Sequence, residues 1–243
     1  MPFTFAHPAA VLPFSSVLAK RYSMSGMIAG SMAPDFEYFF RMDVKSLYSH
    51  TLSGIFLFDI PVALLLTVLF HCSIRNALIN NLPSFLYRRL AHLAQLDWLV
   101  YMQNHKVALT LSIMFGVISH LLWDSFTHQG AFFVEYFHYS LVTLDLFHMS
   151  VPLYKVLQHT STIVGGLVIC CYILLMPQSE PTQPDISLKY WLVVTYLSVA
   201  MVTTRMIFIY PSYSLGIVVV TTLSALMIAL VITPFILKIK STC

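Results

Sequence analysis

His120, Asp124 and His128 recur at four-residue intervals within Ser119 to His128, a stretch that reads Ser-His-Leu-Leu-Trp-Asp-Ser-Phe-Thr-His. A step of four residues on an α-helix rotates a side chain by only about 40°, so the three form one polar stripe. Imidazole and carboxylate one turn apart can share a metal ion or pass a proton. The stripe closes a long apolar run, Val107 to Ile118. Ionisable groups in or near hydrocarbon are costly and mark function by default. The plainer alternative is a His120–Asp124 hydrogen bond that locks two helices.

Other residues gain meaning from that pair. Asp35 follows Pro34 at a forced turn, and His50 stands at the mouth of an apolar run. Alone, each reads as a cap at a helix end. Together with His120 and Asp124 they make a histidine–carboxylate set without thiolate, which suits zinc, manganese or iron. A catalytic zinc takes about three protein ligands and keeps one position open. His7 is a further candidate ligand, and His128 reads as ligand, acid–base group or loop residue. Gln158-His159 enters the third apolar run and reads as a support for the site or as a buried hydrogen bond between helices. Asp59 lies nine residues beyond His50, about half a turn out of phase, and reads as a packing group unless Pro61 distorts the helix. His71, His92, His105, His138 and His148 show no partner and read as interface residues.

The whole chain sets these residues in a membrane. Of 243 residues, 58% are hydrophobic and 9% charged, against about 25% charged in ordinary soluble domains. That composition leaves little room for a separate soluble domain. A net charge of +3, with no basic run interleaved with aromatics, gives no case for nucleic acid as a partner, and none is expected. The four cysteines contain no Cys-x-x-Cys, so no thiolate zinc site is indicated. No basic residue precedes the N-terminal apolar stretch, so no cleaved signal peptide is expected and His7 is retained.

Five spans are expected: Leu52 to Phe70, Val107 to Trp123, Val151 to Met176, Leu188 to Ile209 and Ser214 to Leu237. Ala9 to Ala19 and Met24 to Ala33, split by Lys20-Arg21-Tyr22-Ser23, are too short to span and read as interfacial helices. Gly26, Ala29, Gly30, Ser31 and Ala33 give the second a smooth packing face. Ser84 to Met102 reads as one in-plane amphipathic helix, and Thr127 to Pro152 as an aromatic, His-rich loop. With five spans the connections alternate sides. Residues 1–51, the loop 124–151 and the entry to the third span then share one face. His7, Asp35, His50, His120, Asp124 and His128 all come from there, while the last two spans contribute none of them. Basic residues divide almost evenly between the faces. The densest basic connection, 71–106, is expected to be cytoplasmic, which turns the site outward.

Taken together, Pro2-Phe3-Thr4-Phe5-Ala6-His7-Pro8, Gly30-Ser31-Met32-Ala33-Pro34-Asp35-Phe36-Glu37-Tyr38, Ser49-His50 with Phe58-Asp59-Ile60-Pro61, Ser119 to His128, and Leu157-Gln158-His159 with Ser161 resemble one family. It is an uncharacterised family of bacterial integral membrane proteins, known as domain of unknown function 4184. The resemblance runs in order over roughly residues 1–240 and implies a multi-pass protein of the bacterial inner membrane. More distantly, Pro34-Asp35, His50, His120 and Asp124 are similar to the pattern of predicted inner-membrane metal-dependent hydrolases. In that pattern the second acid after the proline falls on Glu37.

The expectation is an all-α polytopic transmembrane bundle of about five spans, with N-terminal interfacial helices, forming one integral membrane domain over 1–243. Residues 1–51 would be interfacial, 52–176 would carry the polar site, and 188–237 would be scaffold. Asp35, His50, His120 and Asp124, with His7, would hold a divalent metal, zinc first and manganese or iron as alternatives. His128 or Glu37 would move protons. The partners would be membrane lipid and a lipid-linked substrate. A proton or ion path through the same residues and Asp59, or a packing scaffold, is the non-enzymatic alternative.

Overall fold

Among the described residues, five long apolar helices organise the chain. The computed structural model describes residues 3–15, 22–146, 149–179, 182, 185–208 and 214–239. Lys20, Arg21, His148 and Lys240 lie outside the described residues. The helices are α1 (Met24–Met32), α2 (Phe36–Arg41), α3 (Leu52–Asn80), α4 (Ser84–Leu90), α5 (Trp98–Asn104), α6 (Lys106–Asp124), α7 (Phe132–Tyr136), α8 (Leu153–Leu175), α9 (Leu188–Phe208) and α10 (Leu215–Ile236). Of these, α3, α6, α8, α9 and α10 are long and apolar enough to cross a membrane. The shortest, α6 with 19 residues, reaches about 28 Å at the α-helical rise, close to a hydrocarbon core. The protein is an all-α, multi-pass membrane protein.

Four boundaries differ from expectation, each for a local reason. The first span runs on past Phe70 to Asn80. Its polar second half is satisfied inside the protein: Arg75 Nη1 donates to His71 Nδ1 and to the Leu96 carbonyl, both at 2.8 Å. His71 is no interface residue; it is buried and lies face to face on Trp98 at 4.1 Å. The expected helix Ser84 to Met102 is broken by a 3-10 turn at Ala91–Gln95 and extended backbone at Leu96. Asp97 then starts α5 afresh by accepting from Val100 N at 3.0 Å. The third span begins at Leu153, because Thr143–Leu146 (β1) and Met149–Pro152 (β2) pair as an antiparallel hairpin. The first N-terminal piece forms 3-10 turns, Thr4–Ala10 and Leu12–Phe14. Pro8 and Pro13 lack the N–H that a continuous α-helix needs.

The chain divides into two compact units. The first comprises Met1–Pro34, Ser49–Leu64 and Val107–Leu175. Its core is a backbone-to-backbone contact between α1 and α6. A Cβ on Gly30 would sit 2.3 Å from the Ile113 carbonyl oxygen, and one on Gly116 2.3 Å from that of Met27. Only glycine permits that approach. Ser23 ties the start of α1 to α6, donating from its N–H to Ser112 Oγ at 2.8 Å while its own Oγ accepts from Gly26 N at 3.2 Å. The Thr4–Ala10 turn seats on α8 where Ala6 meets Gly165, and Phe3 N donates to Thr162 Oγ1 at 3.0 Å.

The second unit comprises Asp35–Tyr48, Leu65–Lys106 and Met176–Cys243. Ala77, Tyr190, Val194 and Ala229 form its apolar core. Glu37 belongs to this unit's architecture. Its buried carboxylate accepts from Arg41 Nε, Leu47 N and Tyr48 N, each at 2.9 Å, and from Ser46 Oγ at 3.0 Å. Charged acceptors make each of these bonds worth about 1.5–3 kcal/mol. Glu37→Ala is therefore expected to lower stability by about 2 kcal/mol or more and to leave metal binding intact, as thermal unfolding and metal content would show. Loss of metal with unchanged stability would contradict this structural assignment.

Candidate metal centre

The last turn of α6 carries the centre's two anchoring residues. His120 is wholly buried, and its Nδ1–H donates to the Ser31 carbonyl at 2.7 Å. A proton on Nδ1 puts the ring's lone pair on Nε2, the usual arrangement of a ligating histidine. That Nε2 lies 3.3 Å from Asp124 Oδ2. The glycine contact described above delivers Ser31, so close packing of α1 on α6 also sets the histidine's tautomer.

Asp124 is the final residue of α6. The chain then turns tightly, with His128 N donating to the Asp124 carbonyl at 3.1 Å. The turn brings His128 Nδ1 to 3.5 Å from Asp124 Oδ1 and 3.1 Å from the Asp124 backbone oxygen. His128 thus stays with the stripe although the helix ends before it.

His50 arrives from the segment ahead of α3. Thr51, not His50, caps that helix by accepting from Gly54 N at 2.9 Å. The ring of His50 is held by Ser49 Oγ, 2.9 Å from Nδ1, and its Nε2 lies 3.7 Å from Asp124 Oδ2. His7 is carried in by the Thr4–Ala10 turn and is buried. Its ring stacks on His120 at 3.8 Å, and its Nε2 is 3.5 Å from Asp124 Oδ1. Asp35 ends the 3-10 turn Ala33–Asp35. Asp35 belongs to the second compact unit. Asp35 is fully buried and makes no capping bond to α2. One ligand-capable atom each from His50, His120 and Asp124, all of the first unit, lies within 4.8 Å of the others.

The spacings fit a shared cation better than hydrogen bonds. Four imidazole nitrogens stand 3.3–3.7 Å from the Asp124 oxygens. Good N–H···O bonds span about 2.7–3.2 Å. Two atoms bound to one tetrahedral ion at about 2.0–2.1 Å sit about 3.3 Å apart. Among the described residues, neither oxygen of Asp124 and neither ring nitrogen of His7 has a hydrogen-bond partner. Buried polar groups without partners are rare and costly, and an ion bound between them would satisfy both. Burial, reinforced by the adjacent His120, holds His7 well below the ordinary histidine range, against the opposing pull of Asp124. Burial also lowers His128. Both shifts favour the neutral imidazole, the form that binds metal. The donors, nitrogen and carboxylate oxygen, fit zinc, manganese or iron.

Glu37, His159 and Asp59 are not among the residues whose ligand atoms converge. Glu37 is committed to its loop. His159 is exposed, not buried between helices, and Gln158 is the buried member of that pair. Asp59 is fully buried in α3, but it is not among the residues whose ligand atoms converge. Sequence reasoning missed the Ser31 carbonyl, since a main-chain acceptor leaves no trace in residue type. It also missed Ser49 as the group that orients His50, which the Ser-His dipeptide could have signalled. Ser49→Ala is expected to weaken metal affinity about 10–100-fold, with thermal stability of the metal-free protein unchanged. Metal titration by chelator competition would check it.

Beside the centre lies an apolar groove of about 570 Å³, lined by Phe14, Phe115, Ile118, Leu122, Trp123 and Leu157 among others. Trp123 and Thr127 of its wall adjoin Asp124 and His128 in the chain.

No curated protein and no solved structure matches the chain. A family model described as a domain of unknown function, DUF4184, matches residues 1–235, and the chain belongs to that family.

Proposed function

We propose that the centre is the active site of a metal-dependent hydrolase embedded in the bacterial inner membrane. Its substrate is an ester or phosphoester of a lipid or lipid-linked molecule. The observation that carries this reading is the buried Asp124 carboxylate, without a hydrogen bond among the described residues and faced by four imidazole nitrogens at 3.3–3.7 Å. His50, His120 and Asp124, with His7, would hold the ion, zinc first and manganese or iron as alternatives. A divalent ion so held supplies Lewis-acid polarisation of a substrate oxygen and a water-derived nucleophile at neutral pH.

The chain's own groups do the rest. His128 is partly exposed, and its Nε2 has no hydrogen-bond partner among the described residues, so it is placed to take up or give a proton. The apolar groove holds one lipid chain and presents its head to Asp124 and His128. Site residues gather at helix ends, on the last turn of α6 and just ahead of α3. This depth suits a head group at the interface better than a conduction path through Asp59.

The test is release of head group or acid from long-chain phospholipids and lipid esters in mixed micelles by the metal-loaded protein. Wild type is expected to turn over. Ser161→Phe, which fills the groove, is expected to slow long-chain substrates about tenfold while metal content stays unchanged. Metal-loaded wild type that hydrolyses neither class would overturn the reading.

A further inference from the structure

Between α6 and α8, over residues 125–152, the chain carries seven aromatic residues and neither lysine nor arginine. Connections that run through water are polar and rich in turn-forming residues. This one gathers its rings into a single cluster. Phe132 and Tyr136, one turn apart on α7, stack at 5.9 Å with 12° between their planes. Phe137 meets Tyr136 edge-on at 5.1 Å and lies 5.9 Å from Phe133. Phe133 in turn stacks on Phe126 at 4.2 Å. Val134 of α7 points inward and is wholly buried, while Phe132, Tyr136, Phe137 and Leu141 are 57–83% exposed. A contiguous apolar surface of this kind marks a contact with protein or membrane.

The membrane fits that surface on three grounds. Helix α6, with 19 residues, is about as long as the hydrocarbon core is thick, so residues just beyond Asp124 lie at one interface. Phe126 shares the wall of the apolar groove with Ile118 and Leu122, which are exposed on the membrane-crossing α6. The cluster thus continues a surface that already faces lipid. Its composition is interfacial, with aromatic rings, a tyrosine hydroxyl and a single carboxylate on α7. That carboxylate, Glu135, accepts from Ser140 Oγ at 3.2 Å.

The cluster is also fixed to the ends of both spans. Phe133 N donates to the Ser125 carbonyl at 3.1 Å, and Tyr139 Oη to the Phe126 carbonyl at 2.6 Å. Leu153 N, at the start of α8, donates to the Val142 carbonyl at 2.8 Å. With Glu135 and Asp145 and no basic side chain beyond histidine, the connection has little to attract an anionic head group. Apolar contact is what it offers.

We propose that the connection between α6 and α8 is embedded in the membrane interface. Phe132, Tyr136, Phe137 and Leu141 lie among the glycerol groups and upper acyl chains of one leaflet. A lipid then reaches the groove along Phe133 and Phe126 without entering water. The embedding goes beyond the hydrolase reading and stands on the spans and the aromatic cluster alone. Every residue it uses lies in the first compact unit.

The test places the photoreactive residue p-benzoylphenylalanine at Tyr136 in the full chain, reconstituted in pure phosphatidylcholine vesicles. Leu167, exposed on the membrane-crossing α8, takes the same substitution as the reference for capture of lipid. After irradiation, intact-mass spectrometry reads what is bound. The Tyr136 variant is expected to gain the mass of one phosphatidylcholine, with a yield close to that of the Leu167 variant. A cross-link to a second chain would make the cluster a contact between copies and overturn the proposal. Capture of nothing at 136, beside lipid capture at 167, would overturn it too. A second measurement needs no photochemistry. The fluorescence that Phe137→Trp adds to that of wild type is expected to be quenched by brominated phosphatidylcholine and shielded from aqueous acrylamide. Quenching by acrylamide without quenching by bromine would place the cluster in water. Neither experiment reads hydrolysis or metal, so failure here leaves the reading of the metal centre standing.

Discussion

Asp124→Asn is expected to lower metal affinity by more than about 100-fold, beyond what loss of a supporting residue costs. The asparagine keeps the shape of the side chain and removes the charge. Four imidazoles that now face a carboxylate would face a neutral amide. Asp124 is 6% exposed and lies in ion-pair range of His7, His50, His120 and His128. The unfolding temperature of metal-free Asp124→Asn is the baseline from which its response to metal is read. Wild type should gain about 2.7 kcal/mol when metal is present at 100 times its Kd, and the variant should gain nothing. Thermal unfolding of both proteins, with and without Zn²⁺, measures all four states. An equal metal-induced shift in the two proteins would remove Asp124 from the centre.

Gly116→Ala is expected to damage the centre without touching a ligand. The added Cβ would lie 2.3 Å from the Met27 carbonyl oxygen, 2.7 Å from Ser31 N and 2.9 Å from the Gly30 carbonyl carbon. All three are backbone atoms, so helix α1 must move as a body away from α6. Overpacking of this kind costs about 1–3 kcal/mol. The movement also withdraws the Ser31 carbonyl that holds His120 Nδ1. Metal affinity should fall together with stability. Gly166→Ala is the control, since a Cβ there meets nothing within 4 Å. It should leave metal affinity unchanged and, by relieving a helix of its glycine, raise stability by about 0.5–1 kcal/mol. A Gly116→Ala protein that binds metal as wild type does would show that the α1–α6 contact does not set the site.

How much of this the sequence discloses depends on the distance over which each signal acts. The four-residue repeat His120, Asp124, His128 is local helical geometry, and it is legible because a span must end where charge begins. Pairing of His50 with that stripe follows from counting spans, which puts its segment on the same side of the membrane. The stacking of His7 on His120 is invisible, because it depends on where a proline-bearing 3-10 turn lands against α8. Glu37 misleads for a related reason. A carboxylate two residues beyond Asp35 looks like a second acid of the same site, yet the loop Ser46 to Tyr48 folds back and claims it through its backbone N–H groups. His71 lacks a visible partner because Trp98, 27 positions away, meets it only once α5 is in place. Hydropathy ended the first span at Phe70, where polarity rises. The structure continues it, since Arg75 and His71 satisfy each other. The hairpin Thr143–Leu146 with Met149–Pro152 carries no turn signature of glycine or asparagine that would have announced it.

The most direct measurement is X-ray absorption at the zinc edge of the purified, zinc-loaded protein in detergent, prepared without chelators. The account predicts zinc in a shell of nitrogen and oxygen at about 2.0–2.1 Å, with the outer-ring scattering of several imidazoles and no sulfur. A sulfur shell near 2.3 Å would place the metal on cysteine, away from Asp124. Folded protein that retains no zinc would contradict the central claim itself.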